Sequence, residues 1–282
     1  MTLASLLLVI SAAGLHAGWN ALAKRGRDPV VFLWCATVAS TLALAPIGVW
    51  ILVRGGFPPA AIPFVGGTIV LHALYFYTLG RAYGTGAYSL VYPVARGLGV
   101  ALVPIVAVLA FDEHLSGLGT AGVALVVLGI VSLHVLPAGG AASWPGRAIL
   151  WPVLTGLTIA AYSILDKAGV SRLNPVAYML LLETGCALLG SPLVWIRARA
   201  VRAELASWRT ILAAAVMSAL AYTLVLFAFR LSKTGYVVAA RELSIVFSAV
   251  IGSLWLREGR LGPRLAGATI VLVGVACVAL AR

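Results

Sequence analysis

Apolar residues occur along this chain in ten long runs separated by short polar breaks. A helix that crosses a bilayer needs about 20 mostly apolar residues, and each run approaches or exceeds that length. Glycine, proline and charged residues mark the breaks, as in Gly-Arg-Asp-Pro at 26–29 and Asn-Pro at 174–175. The pattern predicts ten transmembrane helices, at 3–23, 30–53, 59–80, 87–110, 117–136, 149–167, 175–196, 209–230, 235–256 and 263–281.

Several residues recur at an offset of 145 positions, which indicates a tandem duplication. Arg96, for example, returns as Arg241. Five runs precede a polar linker at 137–148 and five follow it, so the second copy enters the membrane upside down relative to the first. The sequence therefore predicts an all-α integral membrane protein built from two inverted five-helix repeats, at 1–136 and 149–282. In such proteins the site lies near the midplane between the repeats.

Composition agrees with the membrane class, since 62% of the 282 residues are hydrophobic and only 10% are charged. The net charge of +12 does not indicate nucleic-acid binding, because the excess Lys and Arg lie in short loops between apolar runs. The three cysteines are too widely spaced for a metal or redox motif. No catalytic motif or P-loop occurs. We therefore predict no enzymatic activity, no cofactor and no metal site.

Arg96 and Arg241 each lie near the middle of an apolar run. A charge at membrane depth costs at least ~2.5 kcal/mol and usually faces a cavity or a partner. A guanidinium binds carboxylate or phosphate groups at two points, so the two arginines are predicted to bind an anionic substrate. The alternative is internal pairing with Glu183 and Glu242, which are also candidates for proton coupling. Adjacent helical residues point about 100° apart, so Arg241 and Glu242 are not expected to pair with each other.

The first predicted helix carries His16, Trp19 and Asn20 at helical spacing, which places them on one stripe. A polar and aromatic stripe in a membrane helix is expected to face the bundle interior and contact substrate. For Trp19 the alternative is an anchor at the membrane interface. Four aromatic residues in other runs complete the predicted substrate site, and as a set they suit an amphipathic metabolite better than a bare ion: Tyr75, Tyr92, Tyr162 and Tyr222.

The spacing Glu-x8-Gly-x6-Gly occurs twice, at Glu113, Gly122 and Gly129 and again at Glu258, Gly267 and Gly274. Two five-helix halves that each end in this pattern resemble the EamA-type branch of the drug/metabolite transporter superfamily. The resemblance covers nearly the whole chain. It implies ten helices and secondary transport by alternating access, often efflux of amino acids or other metabolites. With the short loops, it also implies the inner membrane of a bacterium.

The resulting prediction is a secondary active transporter, monomeric or homodimeric, for a small metabolite that carries an anionic group, such as an amino acid. Protons are the candidate coupling ion. Two alternatives stay open. The first is an exporter of cationic or hydrophobic compounds, for which Glu183 or Glu242 matters more than the arginines, and the second is a membrane protein that transports nothing.

The orientation of the chain is predicted differently by two lines of reasoning. Loops after odd-numbered segments carry about twice as many Lys and Arg residues as the remaining loops and the C-terminus. Because cationic loops stay in the cytoplasm, this count places both termini outside. The family resemblance instead implies cytoplasmic termini.

Overall fold

A computed structural model describes residues 1–86, 88–135, 149–254 and 261–281. The regular secondary structure of these residues is α-helical, apart from one 3₁₀ turn at Pro59–Ala61. Six of the described helices are long and apolar enough to cross a membrane. The chain is therefore an α-helical, multi-pass integral membrane protein, as the hydropathy pattern predicts.

The helices of the first half are α1 (Leu3–Lys24), α2 (Pro29–Gly55), α3 (Ile62–Thr85), α4 (Tyr88–Phe111) and α5 (Gly117–Val135). Those of the second half are α6 (Leu150–Val170), α7 (Pro175–Trp195), α8 (Ala198–Leu205), α9 (Trp208–Leu231), α10 (Thr234–Arg241), α11 (Leu243–Leu254) and α12 (Leu261–Leu280). Each of the ten predicted segments overlaps a described helix. The largest difference in a boundary is at the end of α3, which continues to Thr85 rather than stopping at residue 80.

Two features depart from the predicted set of ten helices, so the described helices do not confirm that count. The short helix α8 was not predicted, because its eight residues include charged positions and form no apolar run. The ninth predicted segment is divided into α10 and α11 at Glu242, whose backbone N–H bonds to the carbonyl of Ala239 at 3.1 Å. An uninterrupted apolar run gives no sign of such a break.

The second helix of each half begins with the same capping device. Asp28 accepts a hydrogen bond from the backbone N–H of Val30 at 3.1 Å. Asn174, at the matching position of the second half, accepts one from Val176 at 2.9 Å. A proline follows each cap, where the missing N–H leaves no hydrogen bond unmade.

A lysine joins the ends of two helices in each half. Lys24, at the end of α1, donates to the carbonyls of Tyr83 (2.8 Å) and Gly86 (2.7 Å) at the end of α3. Lys167, near the end of α6, donates in the same way to the carbonyl of Ser232 (3.0 Å) just after α9. The last carbonyls of a helix lack intrahelical partners, so each lysine satisfies groups that are otherwise unbonded.

These two lysine contacts lie at opposite ends of the bundle, because α3 and α6 are antiparallel. Thr68, near the start of α3, donates to Asp166 near the end of α6. Thr78, further along α3, accepts from Thr155 near the start of α6 at 3.1 Å. Lys24 contacts the C-terminal end of α3, whereas the lysine of α6 follows directly after Asp166.

Close packing of α5 against α12 depends on glycine. A Cβ on Gly274 would lie 2.7 Å from the carbonyl oxygen of Gly122, and a Cβ on Gly129 would lie 2.9 Å from that of Gly267. The helix backbones therefore touch directly, as small residues permit in membrane helices. These four glycines are the ones in the repeated sequence pattern, so the pattern has a packing role. Glu258 of the same pattern lies outside the described residues.

Candidate functional site

Arg96 on α4 and Glu242 at the break between α10 and α11 form a buried ion pair. Arg96 donates from Nη2 to Oε1 of Glu242 and from Nε to Oε2 at 3.2 Å. Both side chains are at most 2% exposed. This two-point contact uses the fork geometry of the guanidinium. Glu242 thus binds the arginine of the other half rather than its sequence neighbour Arg241, in agreement with helical geometry.

Arg241, at the end of α10, is also buried but is placed differently. Its Nη1 and Nη2 atoms have no hydrogen-bond partner among the described residues. Its guanidinium carbon lies 5.5 Å from the ring centroid of Tyr222 on α9, within the range of a cation–π contact. Buried donors without acceptors are costly. Arg241 therefore has hydrogen-bonding capacity that an incoming anion can use.

Asp166 on α6 is a buried carboxylate that the sequence reasoning missed. Its Oδ1 accepts hydrogen bonds from the hydroxyls of Thr68 and Tyr178, the latter at 2.8 Å. Its Oδ2 accepts from the hydroxyl of Tyr222 and lies 3.8 Å from Nε2 of His72. Tyr222 therefore stands between two opposite charges, with its ring against Arg241 and its hydroxyl on Asp166. Asp166 could have been recognised as a carboxylate inside an apolar run. It lies next to Lys167, however, and a pair of charged residues is common at the end of a membrane helix.

His72 on α3 extends this polar cluster into a group of aromatic rings. Its ring stacks on that of Tyr162, with the centroids 3.9 Å apart. Tyr222 meets the His72 ring edge-on at 5.2 Å, and Tyr75 meets the Tyr162 ring edge-on at 5.4 Å. Three of the predicted aromatic residues are thus in one cluster. Tyr92 lies outside the described side chains.

The polar stripe of α1 faces the interior, as predicted, but only part of it is available to a ligand. Asn20 accepts from the hydroxyl of Tyr83 at 2.6 Å and donates to the carbonyl of His16 at 2.7 Å, so both ends of its amide are engaged. Trp19 is 3% exposed and donates to Nδ1 of His16 at 3.2 Å. Its burial excludes the alternative of an interface anchor.

A small cavity lies between α1, α3, α6, α7 and α9. The volume open to the centre of a water molecule is about 20 Å³, which is room for about one water. Six predicted site residues line this central cavity: His16, Trp19, Tyr75, Tyr162, Glu183 and Tyr222. Arg96, Arg241, Asn20 and Glu242 do not line it, but Arg241 contacts the ring of Tyr222, which does.

Two further cavities continue from the central one towards the end of α7. The first, lined by Thr37 and Ser40 of α2, shares Trp19, Phe76 and Glu183 with the central cavity. The second lies between α2, α3 and α7, and its lining extends from Thr37 and Phe76 to Trp34 and Val194. Phe76 lines all three cavities.

Glu183 on α7 lies at the junction of the first two cavities. Its side chain is 1% exposed, and no Lys, Arg or His among the described residues forms an ion pair with it. Hydroxyls, not cations, surround it on the α2 side. Among the described residues, no group of three or more His, Cys, Asp or Glu is placed to hold a metal ion.

These features together define a class: a multi-pass helical membrane protein with a buried, partly charged cavity between its two halves. Residues 146–280 match the EamA-like transporter family. The second half of the chain is therefore an EamA-like unit, and the resemblance to the drug/metabolite transporter superfamily is confirmed. This match indicates a membrane transporter, which acts on a small molecule within a lipid bilayer.

No curated protein sequence matches the chain. Among solved structures, one crystal structure superposes with a TM-score of 0.70 over 99% of this chain and 97% of its own. The two sequences are 17% identical, so the likeness concerns the fold alone.

Proposed function

We propose that the protein is a secondary active transporter of ten membrane spans in two inverted repeats. In this proposal α10 and α11 together form the ninth span, and α8 lies at the membrane surface. Matched caps, matched lysine contacts and reciprocal glycine contacts in the two halves support the symmetry. A broken helix beside buried charges is typical of transporter sites. The membrane is proposed to be the inner membrane of a bacterium.

The proposed substrate is a small metabolite with an anionic group, such as an amino acid. The observation that carries this proposal is Arg241, whose buried Nη atoms lack hydrogen-bond partners among the described residues. Tyr222 separates Arg241 from the central cavity. A rotation of the Tyr222 ring lets an anionic group reach the guanidinium, while the aromatic wall receives the apolar part of the substrate. Because the central cavity holds only about one water, binding requires an opening of the bundle.

Charge balance among the buried groups selects the candidate for proton coupling. Apart from Glu204 on α8, the buried charged groups that the structure describes are two arginines, Arg96 and Arg241, and three carboxylates, Asp166, Glu183 and Glu242. Glu242 is paired with Arg96, and Asp166 approaches Arg241 through Tyr222. Glu183 is then the carboxylate in excess, and burial disfavours an unpaired charge. Of the two predicted coupling residues, Glu183 is therefore proposed to bind and release the proton, and Glu242 to hold Arg96.

Export of cationic compounds is the second candidate function, and one observation favours it. The central cavity is lined by Glu183 and by aromatic rings, including Trp19 and Tyr162, whereas both arginines lie outside its wall. A carboxylate among aromatic rings suits an organic cation.

A thermal-shift screen of purified protein separates these functions, because a ligand that binds the folded state raises its stability. The panel contains acidic, neutral and basic amino acids, organic acids and quaternary ammonium compounds. Stabilisation by compounds with an anionic group, followed by their flux into proteoliposomes, is the expected result. Stabilisation by organic cations alone overturns the proposed substrate class and supports the second function. Absence of any flux with all binders indicates a protein that does not transport.

A further inference from the structure

The short helix α8 is fixed to the loop between α1 and α2. Arg197 forms an ion pair with Asp28 at 2.9 Å, and Glu204 accepts from the backbone N–H of Asp28 at 2.7 Å. Arg27 donates to the carbonyl of Ala203 at 3.3 Å. The helix therefore has a fixed position at the end of the bundle where α1 and α7 end and where α2 and α9 begin.

Beneath α8 lies an apolar pocket bounded by α2, α8 and α9, with about 470 Å³ open to the centres of water molecules. Its wall consists of Trp34, Cys35, Val38, Ala39, Leu42, Val201, Leu205, Trp208, Ile211 and Leu212. Leu42 is 70% exposed and Trp208 57%, so the pocket opens sideways towards the bilayer. Trp34 is held in place by a hydrogen bond from Nε1 to the carbonyl of Ala187 at 2.9 Å. The pocket is thus larger than the cavities of the candidate substrate site, and Trp34 is the one lining residue that it shares with them.

The dimensions of this pocket fit one hydrocarbon chain. From Trp34 to Leu42 the wall follows α2 for about 12 Å, at ~1.5 Å per residue. The hydrocarbon layer of one leaflet is roughly 15 Å thick. A chain that enters beside α8 can therefore lie along most of its length in contact with protein.

Three exposed arginines lie on α8 and at the start of α9, the two elements that bound the pocket at this end of the bundle. Arg199 and Arg202 on α8, and Arg209 at the start of α9, are exposed. The nearby carboxylates, Asp28 and Glu204, are already engaged by the contacts that hold α8 in place. An anionic headgroup beside α8 therefore meets exposed arginines that form no ion pair with the described residues.

We propose that this pocket binds an anionic phospholipid, with one acyl chain between α2 and α9 and its phosphate at the arginines of α8. The site is independent of the proposed substrate, so either can fail without the other. The apolar pocket alone would accept the acyl chain of an anionic or of a neutral lipid. The nearby arginines favour the anionic lipid. The charge count, to which these arginines contribute, predicts that the connection between α7 and α9 is cytoplasmic, and anionic lipids of the cytoplasmic leaflet attract basic segments.

Native mass spectrometry of the detergent-purified protein tests the site with two lipids of identical acyl chains, phosphatidylglycerol and phosphatidylcholine. We expect one phosphatidylglycerol molecule to remain bound under conditions that remove phosphatidylcholine. The variant Arg199→Gln/Arg202→Gln should bind phosphatidylglycerol about thirty-fold more weakly, the effect of removing two interfacial cations. The matched control is Arg54→Gln/Arg172→Gln, which removes two exposed arginines at other helix ends and should leave binding unchanged.

A second variant tests the apolar part of the pocket. Val38→Trp fills it and should weaken phosphatidylglycerol binding, whereas Leu188→Trp, on an exposed position of α7 outside the pocket, should not. The proposal is overturned if the protein retains phosphatidylglycerol and phosphatidylcholine equally. It is also overturned if the control arginine variant loses as much phosphatidylglycerol binding as the α8 variant. If Val38→Trp instead abolishes a dimer without changing lipid binding, a second copy of the chain occupies the pocket and the proposal is wrong. Thermal unfolding of every variant distinguishes lost binding from lost folding.

Discussion

The guanidinium of Arg241 lies 5.5 Å from the ring centroid of Tyr222. Because the hydroxyl of the same ring donates to Asp166, one aromatic side chain connects a buried cation with a buried anion. An anionic substrate that binds Arg241 must displace the Tyr222 ring from the guanidinium.

Replacing Arg241 tests the substrate class. Arg241→Lys keeps the charge but loses the planar fork, so binding of an anionic substrate should weaken roughly ten-fold, and Arg241→Gln should weaken it further. Isothermal titration with a ligand from the thermal-shift screen measures both effects. Arg230→Gln, at an exposed position on α9, is the control. Unchanged affinity in both Arg241 variants contradicts the anion site.

Replacing Arg96 tests whether its pairing with Glu242 is structural. Arg96→Gln leaves a buried carboxylate unpaired and should lower the free energy of unfolding by about 3–5 kcal/mol. The double variant Arg96→Gln/Glu242→Gln should recover part of that loss, because no charge is then left alone. Chemical unfolding in detergent measures the stabilities. If Arg96→Lys and Arg96→Gln fold normally but no longer bind substrate, Arg96 belongs to the substrate site as the sequence predicts.

Replacing Glu183 tests proton coupling. Glu183→Gln mimics the protonated side chain, so it should still exchange labelled substrate across a proteoliposome membrane. It should not accumulate substrate in response to a pH gradient, because it cannot release a proton. Glu183→Asp should restore part of the accumulation. Full pH-driven accumulation in Glu183→Gln, in Glu242→Gln and in the double variant rules out both carboxylates.

A pair of glycine variants tests the close contact of α5 and α12. Gly274→Ala places a Cβ 2.7 Å from the carbonyl oxygen of Gly122, which forces the helices apart and should cost roughly 1–3 kcal/mol of stability. Gly66→Ala, inside α3 with nothing within 4 Å of the added Cβ, is the matched control and should be neutral or stabilising. Melting temperatures in detergent compare the two. Equal melting temperatures of the two variants indicate that α5 and α12 can move apart without loss of stability.

Labelling of a single cysteine tests the orientation. In a background without Cys35, Cys186 and Cys277, a cysteine at Ser207 lies in the arginine-rich connection between α7 and α9, directly after α8. The charge count places this connection in the cytoplasm, so an impermeant reagent should not label it in intact cells. Labelling from outside shows instead that the termini are cytoplasmic, as the family resemblance implies.

The hydropathy pattern predicts where the apolar helices lie, because a membrane span depends on the local sequence. The first segment, for example, was predicted at 3–23 and is α1, Leu3–Lys24. The break at Glu242 could not be predicted, because the partner that Glu242 binds there, Arg96, lies far away in the sequence. Asp166 was missed for a related reason: its partners Thr68 and Tyr222 come from other helices, and only the folded bundle brings them together.

The side chains of the candidate site could also be predicted only in part from the sequence. The stripe on α1 correctly predicts which face is buried, but the amide of Asn20 is used by Tyr83, and only the fold reveals this. The predicted pairing of Arg96 and Arg241 with the two glutamates was incomplete, because it did not include Asp166. Residue type and helical spacing therefore identify the polar interior, and contacts between helices decide which of its groups remain available.

The lysine contacts at the two ends of the bundle have a mechanical consequence. Lys24 joins α1 to α3 at one end, and Lys167 joins α6 to α9 at the other. Together with α7, these four helices enclose the central cavity. In the proposed alternating-access cycle, opening the cavity at one face separates the helices joined there and releases one lysine from its carbonyls, while the contact at the other end holds. The two contacts use the same donor and the same kind of acceptor at opposite ends, so each conformation of the proposed cycle breaks one contact and keeps the other.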